Sequence, residues 1–123
     1  ERGQTEEKVL RQVQAGIERL TPEQMSRLVV AYEPIWAIGS GRTPRPQEIG
    51  HVLGSIRRHV ASRFGQAIAA QIRLLYGGSV DPENISSLMS EKEVDGVLVG
   101  GASLDPEKFL QLIQRSNLAE KKG

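Results

Sequence analysis

Two periodicities alternate along this chain. Val9, Leu10, Val13, Ile17 and Leu20 recur at helical spacing after Thr5-Glu6-Glu7-Lys8, a helix start with a capping hydroxyl and acids in the first turn. Thr21-Pro22-Glu23-Gln24 gives a second start, with proline at the first helical position and Gln24 placed for a capping box. Only one or two turns fit before Leu28. The run Leu28-Val29-Val30-Ala31-Tyr32 is then continuously apolar, as a parallel strand covered on both faces requires. Arg45-Pro46-Gln47-Glu48 opens a longer helix whose apolar face is Ile49, Val52, Leu53, Ile56, Val60 and Phe64. Ile72–Tyr76 and Val94–Val99 read as two more strands. Asp81-Pro82-Glu83-Asn84 caps a short helix with Ile85, Leu88 and Met89 inward. Asp105-Pro106-Glu107 caps a last one with Phe109, Leu110, Leu112 and Ile113 inward.

The order is helix, strand, helix, strand, helix, strand, helix, which predicts a parallel α/β sheet. Three strands are too few to close a barrel. An arc of parallel strands leaves two open edges, so the pattern describes part of something larger.

The chain has 123 residues, enough for one ordinary domain. A net charge of +1 favours neither nucleic acid nor an anionic membrane surface. Cysteine is absent, which excludes disulfide and thiol chemistry and fits a cytoplasmic protein. No apolar run approaches the ~20 residues of a membrane span. The chain starts at Glu1 rather than Met, and the expectation is that upstream sequence is missing.

Candidate chemistry gathers where strands become loops. Glu33 is a single carboxylate at the end of the first strand. Pro34 fixes the direction in which the chain leaves, Trp36 offers a large apolar anchor, and Gly39 and Gly41 allow close ligand approach. This describes a base on a rigid edge beside a mobile lid. Tyr76-Gly77-Gly78-Ser79-Val80 and Gly100-Gly101-Ala102-Ser103-Leu104 also follow strands. Glycines there expose backbone N–H groups, and a helix start adds a favourable dipole for an anion. Any one glycine could be no more than a tight turn; all of them after successive strands is a stronger pattern. His51 and His59, on the long helix, have no partner in these motifs and read as surface or packing residues.

Ala31–Gly41, Tyr76–Val80 and Val94–Leu104 together resemble triosephosphate isomerase, over about Thr5 to Arg115 and only the second half of its barrel. The resemblance implies a TIM-barrel α/β fold, here a partial barrel of about three parallel strands with four or five helices, and one partial domain over 1–123. It implies Glu33 as the catalytic base that interconverts dihydroxyacetone phosphate and glyceraldehyde 3-phosphate through an enediol, a step shared by glycolysis and gluconeogenesis. It implies backbone N–H donation to the substrate phosphate from Ser79, Gly100 and Gly101, with Gly39 added on lid closure. Pro34, Trp36 and Tyr76 then belong to the lid and its hinge. No metal or organic cofactor is implied. The partners implied are a small phosphorylated triose, the missing N-terminal half and, as in the family, a homo-oligomer; the family's dimer contact relies largely on a loop from the missing half.

Two departures from the family pattern matter. Its lysine and neighbouring asparagine after the first strand, its electrophilic histidine after the fourth and its acid after the fifth all lie upstream of Glu1. The oxyanion stabilisers are the largest electrostatic contribution, so negligible activity is expected of this chain alone. In addition, Pro44 stands where relatives commonly carry alanine, whose N–H meets the hydroxyl of the tyrosine matching Tyr76. Proline has no N–H, so the expectation is that a closed lid is held differently. Comparing Tyr76→Phe in a complete enzyme carrying Pro44 with the same change in an alanine-bearing relative tests this; equal losses of activity refute it. Two alternatives are a catalytically inactive half-barrel that serves folding or assembly, and a different phosphate-binding barrel enzyme.

Overall fold

The computed structural model describes residues 2–35 and 43–121. The elements are α1 (Arg2–Ile17), α2 (Pro22–Ser26), β1 (Val29–Tyr32), α3 (Pro46–Phe64), α4 (Gln66–Gln71), β2 (Arg73–Tyr76), α5 (Ile85–Met89), β3 (Gly96–Val97), a 3₁₀ turn (Gly101–Leu104) and α6 (Pro106–Leu118). The three strands form one parallel sheet in the order β1-β2-β3, with Tyr32 opposite Tyr76 and Tyr76 opposite Val97. No helix among the described residues is long and apolar enough to cross a membrane.

Local chemistry explains the starts and stops. Thr21 Oγ1 accepts the Gln24 N–H at 3.2 Å and Gln24 Oε1 accepts the Thr21 N–H at 3.0 Å, so the capping box forms. Asp105 Oδ1 accepts from the N–H groups of Glu107 and Lys108 and caps α6. The first helix starts before Thr5, which lies inside α1. Helix α4 was not expected from the pattern. Gly65, with φ of 94°, ends α3 and lets the alanine-rich run Gln66–Gln71 resume as a separate helix.

The core lies between one sheet face and the helices. It contains Tyr32, Leu74 and Tyr76 from the strands, Leu53, Ile56 and Val60 from α3, Ile85 and Leu88 from α5, and Leu112 from α6. The expectation of cover on both faces fails, because burial alternates. Val29 is 52% exposed and Ala31 and Arg73 are exposed, while Val30, Tyr32, Leu74 and Tyr76 face inward. In a closed barrel that second face is packed by the remaining strands, and the described residues carry only three.

The same shortage corrects the reading of α6. Leu112 is buried, but Phe109, Leu110 and Ile113 are exposed; α6 packs on α5 and the 3₁₀ turn. Strand β3 is shorter than Val94–Val99 because it pairs only with β2. Bonds from Asp95 N–H to the Leu74 carbonyl and from Leu98 N–H to the Tyr76 carbonyl, each 2.9 Å, carry its alignment one residue further each way.

At the N-terminal end of the strands, Arg57 ties α3 to the sheet. It donates to Glu93 Oε2 at 2.7 Å, Asp95 Oδ2 at 2.6 Å and the carbonyls of Ala69 and Ile72 at 2.5 and 3.3 Å. Helix α1 is joined to α3 by polar contacts: Glu6 meets His51 at 2.9 Å and Ser55 at 2.6 Å, and His59 meets Gln14 at 2.6 Å. Both histidines therefore serve helix packing.

Candidate active site

Parallel register brings the candidate residues to one edge. Because Tyr32, Tyr76 and Val97 are aligned across the sheet, Glu33, Gly77–Ser79 and Leu98–Gly101 all leave from the C-terminal ends of their strands. A bond of 2.8 Å from the Gly77 N–H to the Tyr32 carbonyl continues the ladder to that point. Glu33 is exposed at this edge and Pro34 behind it is buried.

The loop after β2 is held by its own side chains. Asn84 Nδ2 donates to the Ser79 carbonyl at 3.0 Å, and Asn84 Oδ1 accepts the Asp81 N–H at 2.9 Å. Asp81 Oδ1 accepts the N–H groups of Glu83 and Asn84, both at 2.9 Å. Arg115 on α6 donates to the Pro82 carbonyl. Gly77–Val80 is thus anchored from behind while Ser79 stays exposed. After β3, Ser103 bonds back to the Gly100 carbonyl through its N–H at 2.9 Å and its hydroxyl at 2.6 Å. That closes the 3₁₀ turn, whose leading N–H groups have no partner within the turn itself.

Tyr76 lies between these features. Its ring is 1% exposed, and its hydroxyl lies over Gly78. Burial pushes this phenol above its usual range; a hydrogen bond from the Ser79 backbone opposes that shift, while Tyr32 and Glu33 reinforce it.

A cleft of about 550 Å³ opens between α1 and β1, lined by Lys8, Gln12 and Val13 of α1, the whole of β1, and Glu33 to Ile35. Ser79, Gly100 and Gly101 do not line it. The cleft is the unfilled flank of the β1 edge. The strand ends define the candidate site better, because they gather a carboxylate and both glycine loops.

Trp36 and Gly39 lie outside the described residues. The sequence pattern placed Asn84 only in a helix cap and did not single out Arg115 or Arg57. The spacing Asp81-Pro82-Glu83-Asn84 signals the loop clamp, but nothing local marks the two arginines, whose partners are 33 or more residues away for Arg115 and for the Arg57 ion pairs.

Parallel strands covered by helices on one face, with a carboxylate and two glycine loops at the C-terminal edge, define a partial barrel of the (β/α)₈ class. The family profile for triosephosphate isomerase matches residues 1–116. The triosephosphate isomerase of Symbiobacterium thermophilum is 52% identical over 99 residues, 80% of this chain and 39% of the relative. That of Pediococcus pentosaceus is 49% identical over 113 residues, 92% of this chain and 45% of the relative. That of Dictyoglomus thermophilum is 43% identical over 114 residues, 93% of this chain and 46% of the relative. The chain belongs to the triosephosphate isomerase family, and it spans less than half the length of these curated relatives.

Proposed function

We infer that residues 1–123 form the C-terminal half of a triosephosphate isomerase, a single partial domain that supplies the base and the phosphate loops of the reaction. The observation that carries this reading is the common edge shared by Glu33, Ser79 and Gly100–Gly101, taken with family membership. In this reading Glu33 removes a proton from the carbon beside the triose carbonyl and returns it to the neighbouring carbon through an enediol. No organic cofactor or metal takes part in these steps. Backbone N–H groups of Ser79, Gly100, Gly101 and Gly39 hold the phosphate dianion. Pro34, Trp36 and Tyr76 belong to the lid and its hinge, and closure expels water and strengthens the base. The setting is cytoplasmic three-carbon sugar metabolism.

The chain alone has no residue matching the family's electrophilic histidine or its lysine and asparagine pair, so it is inactive by itself. Its complement is the N-terminal half. Two features support that partner: the open sheet edges, and the exposed apolar residues Val29, Leu98, Leu110 and Ile113. The same surface supports a second reading, an inactive half-barrel that self-associates as an assembly module.

The deciding experiment is to mix the chain with the N-terminal half of a family relative and follow isomerisation in a coupled assay, with the mass of the complex measured alongside. Activity from the mixture, absent from either part, supports the enzyme reading. A defined homo-oligomer that ignores the added half and stays inactive supports the assembly module.

A further inference from the structure

Asn84 stands at the start of α5, where an asparagine ordinarily turns its oxygen onto an N–H in the first turn of its own helix. It makes no such bond. Its amide is turned back along the chain instead. Nδ2 donates to the Ser79 carbonyl at 3.0 Å, and Oδ1 accepts the Asp81 N–H at 2.9 Å. These partners fix which end of the amide is which, since a carbonyl accepts and a backbone N–H donates. The capping is left to Asp81, whose Oδ1 takes the N–H groups of Glu83 and Asn84, both at 2.9 Å.

One end of this clamp is rigid and the other is not. Ile85 and Leu88 are 0% and 2% exposed, so α5 is seated in the core and carries Asn84 with it. Ser79 is exposed and follows Gly77 and Gly78, the residue type that loses most backbone freedom on ordering. The N–H and the carbonyl of Ser79 are separated only by its own φ and ψ, because the peptide units on either side are planar. Holding the carbonyl therefore restricts where the N–H points.

We propose that Asn84 is a positioning residue for phosphate binding: its side-chain amide holds Ser79 in the orientation in which the Ser79 N–H meets a phosphate oxygen. This rests on the reading of Ser79 as a phosphate donor. Asn84 acts through Ser79 and does not touch the ligand. The ordering of the loop is then met on folding rather than on binding, which is how preorganisation raises affinity. Coupling of this kind is reciprocal, so phosphate must tighten the clamp by the factor by which the clamp tightens phosphate. An asparagine that only shaped the turn would show no such response.

The test uses the full chain with its Asn84→Ala and Asn84→Asp variants. Inorganic phosphate is titrated while the Ser79, Gly100 and Gly101 amide resonances are followed. In the wild type, hydrogen exchange of the Asn84 side-chain N–H protons is measured without phosphate and at saturation. The expected result is phosphate affinity weaker by about two- to tenfold in Asn84→Ala, the range of one net hydrogen bond, and wild-type side-chain exchange slowed by a similar factor. Asn84→Asp is expected to lose at least as much, because its carboxylate keeps an oxygen for the Asp81 N–H but has no donor for the Ser79 carbonyl. Wild-type affinity in either variant overturns the proposal and leaves the phosphate reading standing. Weaker affinity in Asn84→Ala with wild-type exchange unmoved by phosphate also overturns it, since Asn84 then only shapes the turn. No phosphate response in the wild type overturns the phosphate reading itself, and the proposal with it. If the variants do not fold, the wild-type exchange measurement decides: slowing at saturation is expected, and unchanged exchange in a chain that binds phosphate overturns the proposal.

Discussion

Arg57 Nη2 lies 2.6 Å from Asp95 Oδ2, and the same carboxylate oxygen accepts the Leu74 N–H at 2.9 Å. One ion pair therefore joins α3, β2 and the start of β3 at the end of the sheet remote from Glu33. The planar guanidinium also reaches Glu93 and two carbonyls, which a lysine ammonium cannot reproduce. Arg57→Lys is expected to destabilise the chain by about 2 kcal/mol, the worth of roughly one charged hydrogen bond lost at a partly exposed site. Urea unfolding checks this, and a midpoint unchanged by the substitution refutes it.

Glycines in the two loops after β2 and β3 should respond differently to alanine. At Gly78 the added methyl meets the Tyr76 ring, and an almost fully buried side chain has to move. Gly78→Ala is expected to cost about 1–3 kcal/mol, as overpacking does. At Gly100 nothing lies within 4 Å of the added carbon. Gly100→Ala should stay within about 0.5 kcal/mol of wild type in stability. If Gly100 serves a phosphate, the same variant loses affinity for inorganic phosphate. Thermal unfolding and phosphate titration of both variants separate packing from binding.

Acid should loosen α1. The Ser55 hydroxyl, and after it His51, hold the Glu6 carboxyl below its ordinary value of 4.5, against a smaller opposing effect of burial. A depressed carboxylate stabilises the folded state above its unfolded pKa. That contribution fades as pH falls below about 4.5 through the lower folded value. Amide exchange along α1 should therefore quicken over that window, and Glu6→Gln should flatten the dependence. The contact is partly exposed, so its size is on the order of 0.2–1 kcal/mol. An α1 that loosens equally in both proteins refutes the assignment.

Glu33 gives the sharpest functional prediction. In the complex with an N-terminal half, Glu33→Gln is expected to lower kcat by about 10²–10⁴-fold, the usual contribution of a positioned general base. Phosphate affinity should change little if, as proposed, the phosphate is held by the glycine loops after β2 and β3. Comparable losses in kcat and in phosphate affinity would mean that Glu33 supports the loop rather than the chemistry.

Much of the fold was legible because its signals are local. Thr21 and Gln24 cap one another within a single turn, and Asp105 bonds its own neighbours, so residue type at fixed spacing was enough. The apolar runs ending at Tyr32 and Tyr76 located β1 and β2 to within one residue at their starts. Helix α4 was missed because Gly65 interrupts a helical pattern with a backbone angle that composition does not reveal.

Burial was less legible. An apolar stripe states that a face can be covered, not that a neighbour is present. Phe109, Leu110 and Ile113 carry the right spacing and still lie exposed. Val29 and Ala31 alternate with buried residues for the same reason.

By itself the sequence determined the order of the strands and of every helix but α4, the parallel sheet, and which residues stand at strand ends, because periodicity, caps and glycines act over a few residues. Only the tertiary structure decided that Tyr32, Tyr76 and Val97 align to bring Glu33 and both glycine loops to one edge. It also decided that Arg57 locks that alignment and that Tyr76 closes over Gly78. These depend on register and side-chain direction between segments tens of residues apart, which are fixed only when the sheet and its helices pack together.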